Sequence, residues 1–204
     1  MKSVPMGLGL LLMLSARMAV AQTPFADTIA RHRETYREEF LKTPNSPLKT
    51  PGALAGLRFF EPDSTLRVEA RVERITGAEP FEMLTYNGQK QPYVRYARLH
   101  FTLNGQPQQL TVYRSLRLAQ MPQYRDYLFV PFKDPTNGQE SYGGGRYLDF
   151  RVGQIRDGRL TLDFNRAYNP YCAYQEGYAC PIPPQENHLR SPIRAGEKIY
   201  VTAR

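Results

Sequence analysis

Residues 66–73 read "LRVEARVE". Apolar and charged side chains alternate one for one, Leu66, Val68, Ala70 and Val72 against Arg67, Glu69, Arg71 and Glu73. Successive side chains of a strand point to opposite faces, so this pattern predicts a strand with one wet face and one buried face. Such a strand needs partners for its backbone groups and a layer against its apolar side. The chain offers both. Ala97, Leu99, Phe101 and Leu103 alternate toward one face and run into Asn104-Gly105. That dipeptide favours the left-handed backbone of a two-residue turn, so residues 93–116 predict a hairpin. "DYLFVPF" predicts another strand, ending at Pro131, and "AGEKIYVTAR" a last one.

"RYLDFRVGQIRDGRLTLDFN" predicts a second hairpin. Leu148, Phe150 and Val152 alternate on one arm, and Leu160, Leu162 and Phe164 on the other. A three-residue loop at Arg156, Asp157 and Gly158 keeps both sets on one face, with Gly158 in the left-handed position. This register sets Arg151 opposite Asp163, Asp149 opposite Asn165 and Tyr147 opposite Ala167. One helix is expected: in residues 24–43 Phe25, Ile29, Tyr36 and Phe40 share a face, Pro24 suits its first turn, and "NSPLKTP" ends it. The expected fold is mainly β, a single antiparallel barrel or sandwich of about six to seven strands carrying an N-terminal helix.

Residues 1–21 carry Lys2, a short apolar run from Gly7 to Leu14, and the small-residue site Ala19-Val20-Ala21. They predict a signal peptide cleaved before Gln22, hence a periplasmic or secreted protein. The apolar run is too short to span a bilayer, and no membrane span is expected. Residues 22–50 then form the helix and its turn, and 51–204 the β-rich domain. Lys2 and Arg17 leave with the leader, so the net charge of +8 falls to +6. These charges are scattered, with no basic stripe, which argues against a nucleic-acid partner.

Residues 163–189, "DFNRAYNPYCAYQEGYACPIPPQENHL", follow neither period. They hold both cysteines, four of the 14 tyrosines and four prolines. In an exported protein Cys172 and Cys180 are read first as a disulfide, which makes this long loop a stapled, stiff excursion. A metal site from Cys172, Cys180, Glu186 and His188 is the alternative, but the spacing lacks a compact ligand pair, so no metal and no cofactor are expected.

"LFVPFKDPTNGQESYGGGRYLDF" followed by "DFNRAYNPYCAYQEGYACPIPPQENHLRSPIRAGEK" resembles the bacterial and archaeal family known as domain of unknown function 1684. "NSPL" and "GLRFF" fit it as well, so the resemblance covers nearly all of the mature chain. It implies no biochemical role. The chain departs from the family pattern at Ser141 and His188, and the second departure counts against His188 as an obligatory acid, base or ligand.

Site candidates cluster at two places. "ESYGGGRY" puts Glu140, Tyr142, Gly144 and Arg146 around three glycines, where backbone N–H groups and a guanidinium can meet an anion, or where a tight turn simply enters a strand. Asn165, Arg166, Asn169 and Asn187 sit in or beside the stapled loop, and the hairpin register brings both places to one end of the domain. The expected site is a pocket between the glycine loop and the stapled loop, with the Arg146 donors unpaired and waiting for a ligand. No hydrolase or nucleotide motif is present. Three readings remain: a module binding a small anionic or carbohydrate-like ligand; a hydrolase using Glu140 or Glu186 with Arg146; and an envelope protein offering the stapled loop to a partner.

Overall fold

The computed structural model describes residues 24–202. The expected leader and the Gln22 start lie outside the described residues. Seven antiparallel strands form one sheet: β1 (Arg67–Arg74), β2 (Phe81–Leu84), β3 (Lys90–Leu103), β4 (Gln106–Ser115), β5 (Tyr127–Phe132), β6 (Arg146–Arg151) and β7 (Arg159–Asp163). The order is β6-β5-β4-β3-β1-β7, with β2 added to β3. The sheet curls into a half-barrel, so its two edges approach each other. They touch at Tyr147 and Tyr168, which exchange backbone hydrogen bonds of 2.9 and 3.1 Å.

The alternating residues behave as their period demands. Leu66, Ala70, Leu99, Phe101, Leu103, Leu160 and Leu162 line the concave face with Val130 and Phe132. Burying each such side chain contributes about 1.5–3 kcal/mol. The convex face is not simply wet. A register shift between Arg95 and Ala97 inserts Tyr96 and swaps the faces of β3, so Tyr93 points outward. There it joins Met83, Tyr113, Phe129 and Tyr147 in a second, aromatic core.

Asn104 and Gly105 have φ of 49° and 75°, as a two-residue hairpin turn requires. The second hairpin differs from expectation. Asp157 and Gly158 are both left-handed, at 49° and 71°, and Arg156 and Arg159 bond each other around them at 2.9 and 2.8 Å. The turn has two residues, not three. The mixing of faces that this would force never arises, because Val152–Gln154 form one helical turn and interrupt the arm. β6 pairs with β5, where Arg151 faces Tyr127, and β7 pairs with β1, where Asp163 faces Arg67. The expected pairs Arg151–Asp163 and Asp149–Asn165 therefore do not form. Tyr147 meets Tyr168, one residue from the expected Ala167.

Among the described residues the expected last strand is reduced to one bridge, Phe59 with Glu197. Glu197, Lys198, Ile199 and Val201 donate their N–H groups to Ala167, Arg58, Glu140 and Gly56 in turn. Beside that single antiparallel bridge, these acceptors lie in three separate stretches of chain, so the segment is a strap across the domain. Helix α1 (Pro24–Lys42) buries Ile29 and Phe40. Phe40 packs on Tyr171 and Tyr174 of the stapled loop at 5.7 and 5.4 Å between ring centres, so the helix rests on that loop. Cys172 and Cys180 are disulfide-bonded.

Candidate functional site

Arg146 is fully buried. Its Nη2 donates to Asp134 at 2.8 Å and to the carbonyl of Ile193 at 2.7 Å, and its Nη1 to the carbonyls of Ala195 and Glu197. Burial lowers its pKa and Asp134 opposes that. The expectation of free donors fails because the strap fills the guanidinium fork with carbonyls. The glycines serve packing. A Cβ on Gly145, φ 93°, would lie 2.6 Å from the carbonyl of Phe132, and one on Gly144 would lie 2.2 Å from the Tyr142 ring.

The two loops are neighbours, as expected, but they are packed together rather than parted by a pocket. Tyr142 donates to the carbonyl of Cys172 at 3.4 Å, and Tyr86 to that of Gly144 at 2.7 Å. Glu140 is held by Arg194 at 2.9 Å. Glu186 accepts from Arg95 at 2.7 Å and Tyr113 at 2.8 Å, and its pKa is lowered, chiefly by the Arg95 hydrogen bond. The asparagines stand in for backbone. Buried Asn187 donates to the carbonyls of Thr111 and Pro131 and accepts from the Thr111 N–H, knitting β4 to β5 where only Tyr113 and Phe129 are in register. Asn165 pairs with the backbone of Asp63, and Asn169 donates to the carbonyl of Lys198.

A cleft of about 820 Å³ lies instead between the two sheet edges, under α1. Tyr147 and Asp149 of β6 form one side, Asp163, Asn165, Arg166 and Tyr168 the other. His32, Arg33 and Tyr36 project from α1, and Tyr171, Tyr178 and Cys180 close one end with the stapled loop. Of the predicted residues, Asn165, Arg166 and Cys180 line it. Glu140, Tyr142, Gly144, Arg146, Asn169, Cys172, Glu186 and Asn187 do not.

Asp149 is the residue that sequence reasoning missed. It has no ion pair within 4 Å among the described residues. Tyr127 donates to its Oδ1 at 2.7 Å, and Tyr168 to both oxygens at 3.0 and 2.9 Å. Water reaches the carboxylate, yet the cleft walls crowd it. Desolvation raises its pKa against the two hydroxyls and the charge of Arg151. Desolvation, with Asp149 next, holds Tyr127 and Tyr168 protonated far above neutral pH, so both remain donors. The outward position of Asp149 in "YLDFR" was readable. The wrong hairpin partner hid its surroundings.

A second carboxylate lies behind the cleft. Glu197 is fully buried and accepts from Tyr174 at 2.7 Å, from Tyr36 at 3.1 Å and from the N–H of Asn169 at 2.9 Å. Burial raises its pKa to about 7 against these bonds. The Tyr36 ring is 6.2 Å from that of Tyr168, so the two tyrosine-held carboxylates lie on adjoining rings.

The far part of the cleft is cationic. Asp163 uses Oδ1 to accept from Asn165, while Arg67 and Arg166 lie 3.9 and 3.8 Å from Oδ2. His32 stands near, its pKa lowered first by burial and then by Arg166. Among the described residues no three His, Cys, Asp or Glu side chains converge as a metal site would require.

The family model described as "Protein of unknown function (DUF1684)" matches residues 52–198. The solution structure of an uncharacterized protein from Haloarcula marismortui is 34% identical, covers 84% of this chain and 92% of its own, and superposes with a TM-score of 0.65. No curated protein matches the chain.

Proposed function

The chain belongs to the DUF1684 family, whose description states no activity, and we propose from the site alone that it binds a small, hydroxyl-rich, carbohydrate-like ligand in the cleft under α1. The observation that carries this reading is Asp149, an exposed residue whose carboxylate is held in place by two tyrosine hydroxyls and has no ion pair within 4 Å among the described residues. A carboxylate in that condition keeps lone pairs for the hydroxyls of a ligand. Tyr147, Tyr168, Tyr171 and Tyr178 supply flat, rigid walls with polar edges, which suits a sugar ring.

The hydrolase reading keeps one supporting observation, the raised pKa of Asp149, which suits an acid or base. The two carboxylates expected for it are spent: Glu140 and Glu186 are engaged by arginines, and Asp163 lies between two more. Binding is therefore the favoured function. Its place is outside the cytoplasm, supported by the disulfide and by the leader-like residues 1–21, and N-terminal sequencing of exported material should then begin at Gln22.

The test is an amide NMR titration with neutral mono- and disaccharides. Shifts should centre on residues 127, 149 and 168, and Asp149→Asn should lose them while remaining folded. A full panel that leaves these amides unmoved, or an Asp149→Asn variant that binds as the parent does, overturns the reading.

A further inference from the structure

We propose that Arg67 and Arg166, flanking Asp163 in the same cleft, form an anion subsite, so that the ligand is an acidic saccharide bearing a carboxylate or phosphate group. This rests on the saccharide reading above and adds the charge of the ligand to it. The geometry leaves both guanidiniums unspent. Among the described residues neither makes a side-chain hydrogen bond, and each stands 3.8–3.9 Å from Asp163 Oδ2, beyond hydrogen-bonding reach. Each planar fork therefore keeps its five donors for a planar or tetrahedral oxyanion. Their side chains are half exposed, at 53% and 48%, so the loose pairs with Asp163 are weak and easily rearranged.

The local charge count points the same way. Arg33, Arg67 and Arg166 bring three permanent cations to this part of the cleft, and Asp163 is the carboxylate between them. Glu61 acts on Arg33 from outside the lining, and Glu39 lies farther along α1. Arg33 spends one nitrogen on the carbonyl of Phe60 at 2.7 Å and stacks on Phe59 at 4.7 Å, while its Nε is buried without a partner. Arg33 comes from α1, Arg67 from β1 and Arg166 from the turn after β7, so three separate elements line the cleft with arginines. A ligand reaching from there toward Asp149 would present hydroxyls to the acceptor and its acid group to the arginines. Neither class of group could be exchanged without loss, which gives the cleft a direction.

His32 provides a local reporter. Burial first lowers its pKa, Arg166 and Arg33 lower it further, and Asp163 raises it. An oxyanion bound between the arginines must raise it, because binding and protonation are linked.

The experiment uses the mature protein, with four probes: inorganic phosphate, D-glucose, D-glucuronate and glucose 1-phosphate. Calorimetry reads affinity and NMR reads the His32 ring. Glucuronate or glucose 1-phosphate should bind at least about tenfold tighter than glucose, the margin of one charge-assisted pair, and the advantage should shrink with added salt. Arg67→Gln and Arg166→Gln should bring the acidic probe to the affinity of glucose, and phosphate alone should raise the His32 pKa. Equal affinities for glucose and its acidic derivatives overturn the anion subsite while leaving the saccharide reading in place. If phosphate raises the His32 pKa but neither glucose nor its acidic derivatives bind, the saccharide reading is overturned and the subsite is kept. Phosphate binding that survives both arginine substitutions assigns the anion elsewhere and overturns the inference. An advantage for glucose 1-phosphate alone identifies phosphate as the acid group, and for glucuronate alone a carboxylate.

Discussion

Arg146 and Asp149 are three residues apart on β6, and they live opposite lives. Arg146 points inward, fully buried, its fork filled by Asp134 and three backbone carbonyls. Asp149 lines a cleft, and its carboxylate accepts from two tyrosine hydroxyls. The glycine context made Arg146 look like the ligand-binding residue, whereas hydrogen-bonding capacity left over after folding singles out Asp149. A polar group whose needs the fold has met holds the structure together. One whose needs remain open is available to something else.

The contrast breaks first on stability. Arg146→Met should cost about 3–5 kcal/mol, because it leaves Asp134 buried without its cation. Asp149→Asn should cost less than about 1 kcal/mol, since its tyrosine partners keep an acceptor. Denaturant unfolding of both variants measures this, and equal losses would erase the distinction.

Glu197 sharpens the comparison, for it is buried like Arg146 yet held by tyrosines like Asp149. Its folded pKa, about 7, lies above the ordinary 4.5. Below pH 4.5 both folded and unfolded chains hold the proton. Between 4.5 and 7 only the folded chain keeps it, so this contribution to stability falls as pH rises through that window and is flat above it. Glu197→Gln removes the titration. The stability of the variant relative to the parent should rise by about 3 kcal/mol from pH 4.5 to 7.5. A pH-independent difference would place the Glu197 pKa near its unfolded value.

The smallest effect concerns Tyr168. Its hydroxyl favours the charged form of Asp149, so Tyr168→Phe should push the Asp149 pKa higher still while costing about 1 kcal/mol. A carboxyl-carbon NMR titration reads it. An unchanged or lower value would mean that the hydroxyl does not govern that carboxylate.

What could be read from residue order follows from range. Alternation in residues 66–73, the Asn104-Gly105 turn, the apolar face of α1 and the cysteine pair are local patterns, and each appears in the fold. Alternation tells which face a side chain takes but not which strand lies beside it. Leu148 and Leu160 both point inward as expected, yet their strands occupy opposite edges of the sheet. The cleft lies between those edges, so it was hidden with them. The asparagines were misread for a related reason: a side-chain amide mimics a peptide group, and only the distant chain it bonds reveals whether it serves structure or ligand.

The strap has a consequence for how the molecule is made. Residues 193–201 supply the carbonyls around Arg146, the carboxylate for Tyr36 and Tyr174, and contacts that tie down the segments around Gly56 and Arg58. A ribosome elongating this chain delivers every strand before it delivers that segment. Without residues 193–201 Arg146 keeps Asp134 but loses its three carbonyls, and Tyr36 of α1 loses the Glu197 carboxylate. Closure of this part of the core therefore depends on a segment that follows every strand in the chain. A chain cut short of residue 193 would lack these contacts, and its sheet would lose the latch that closes it.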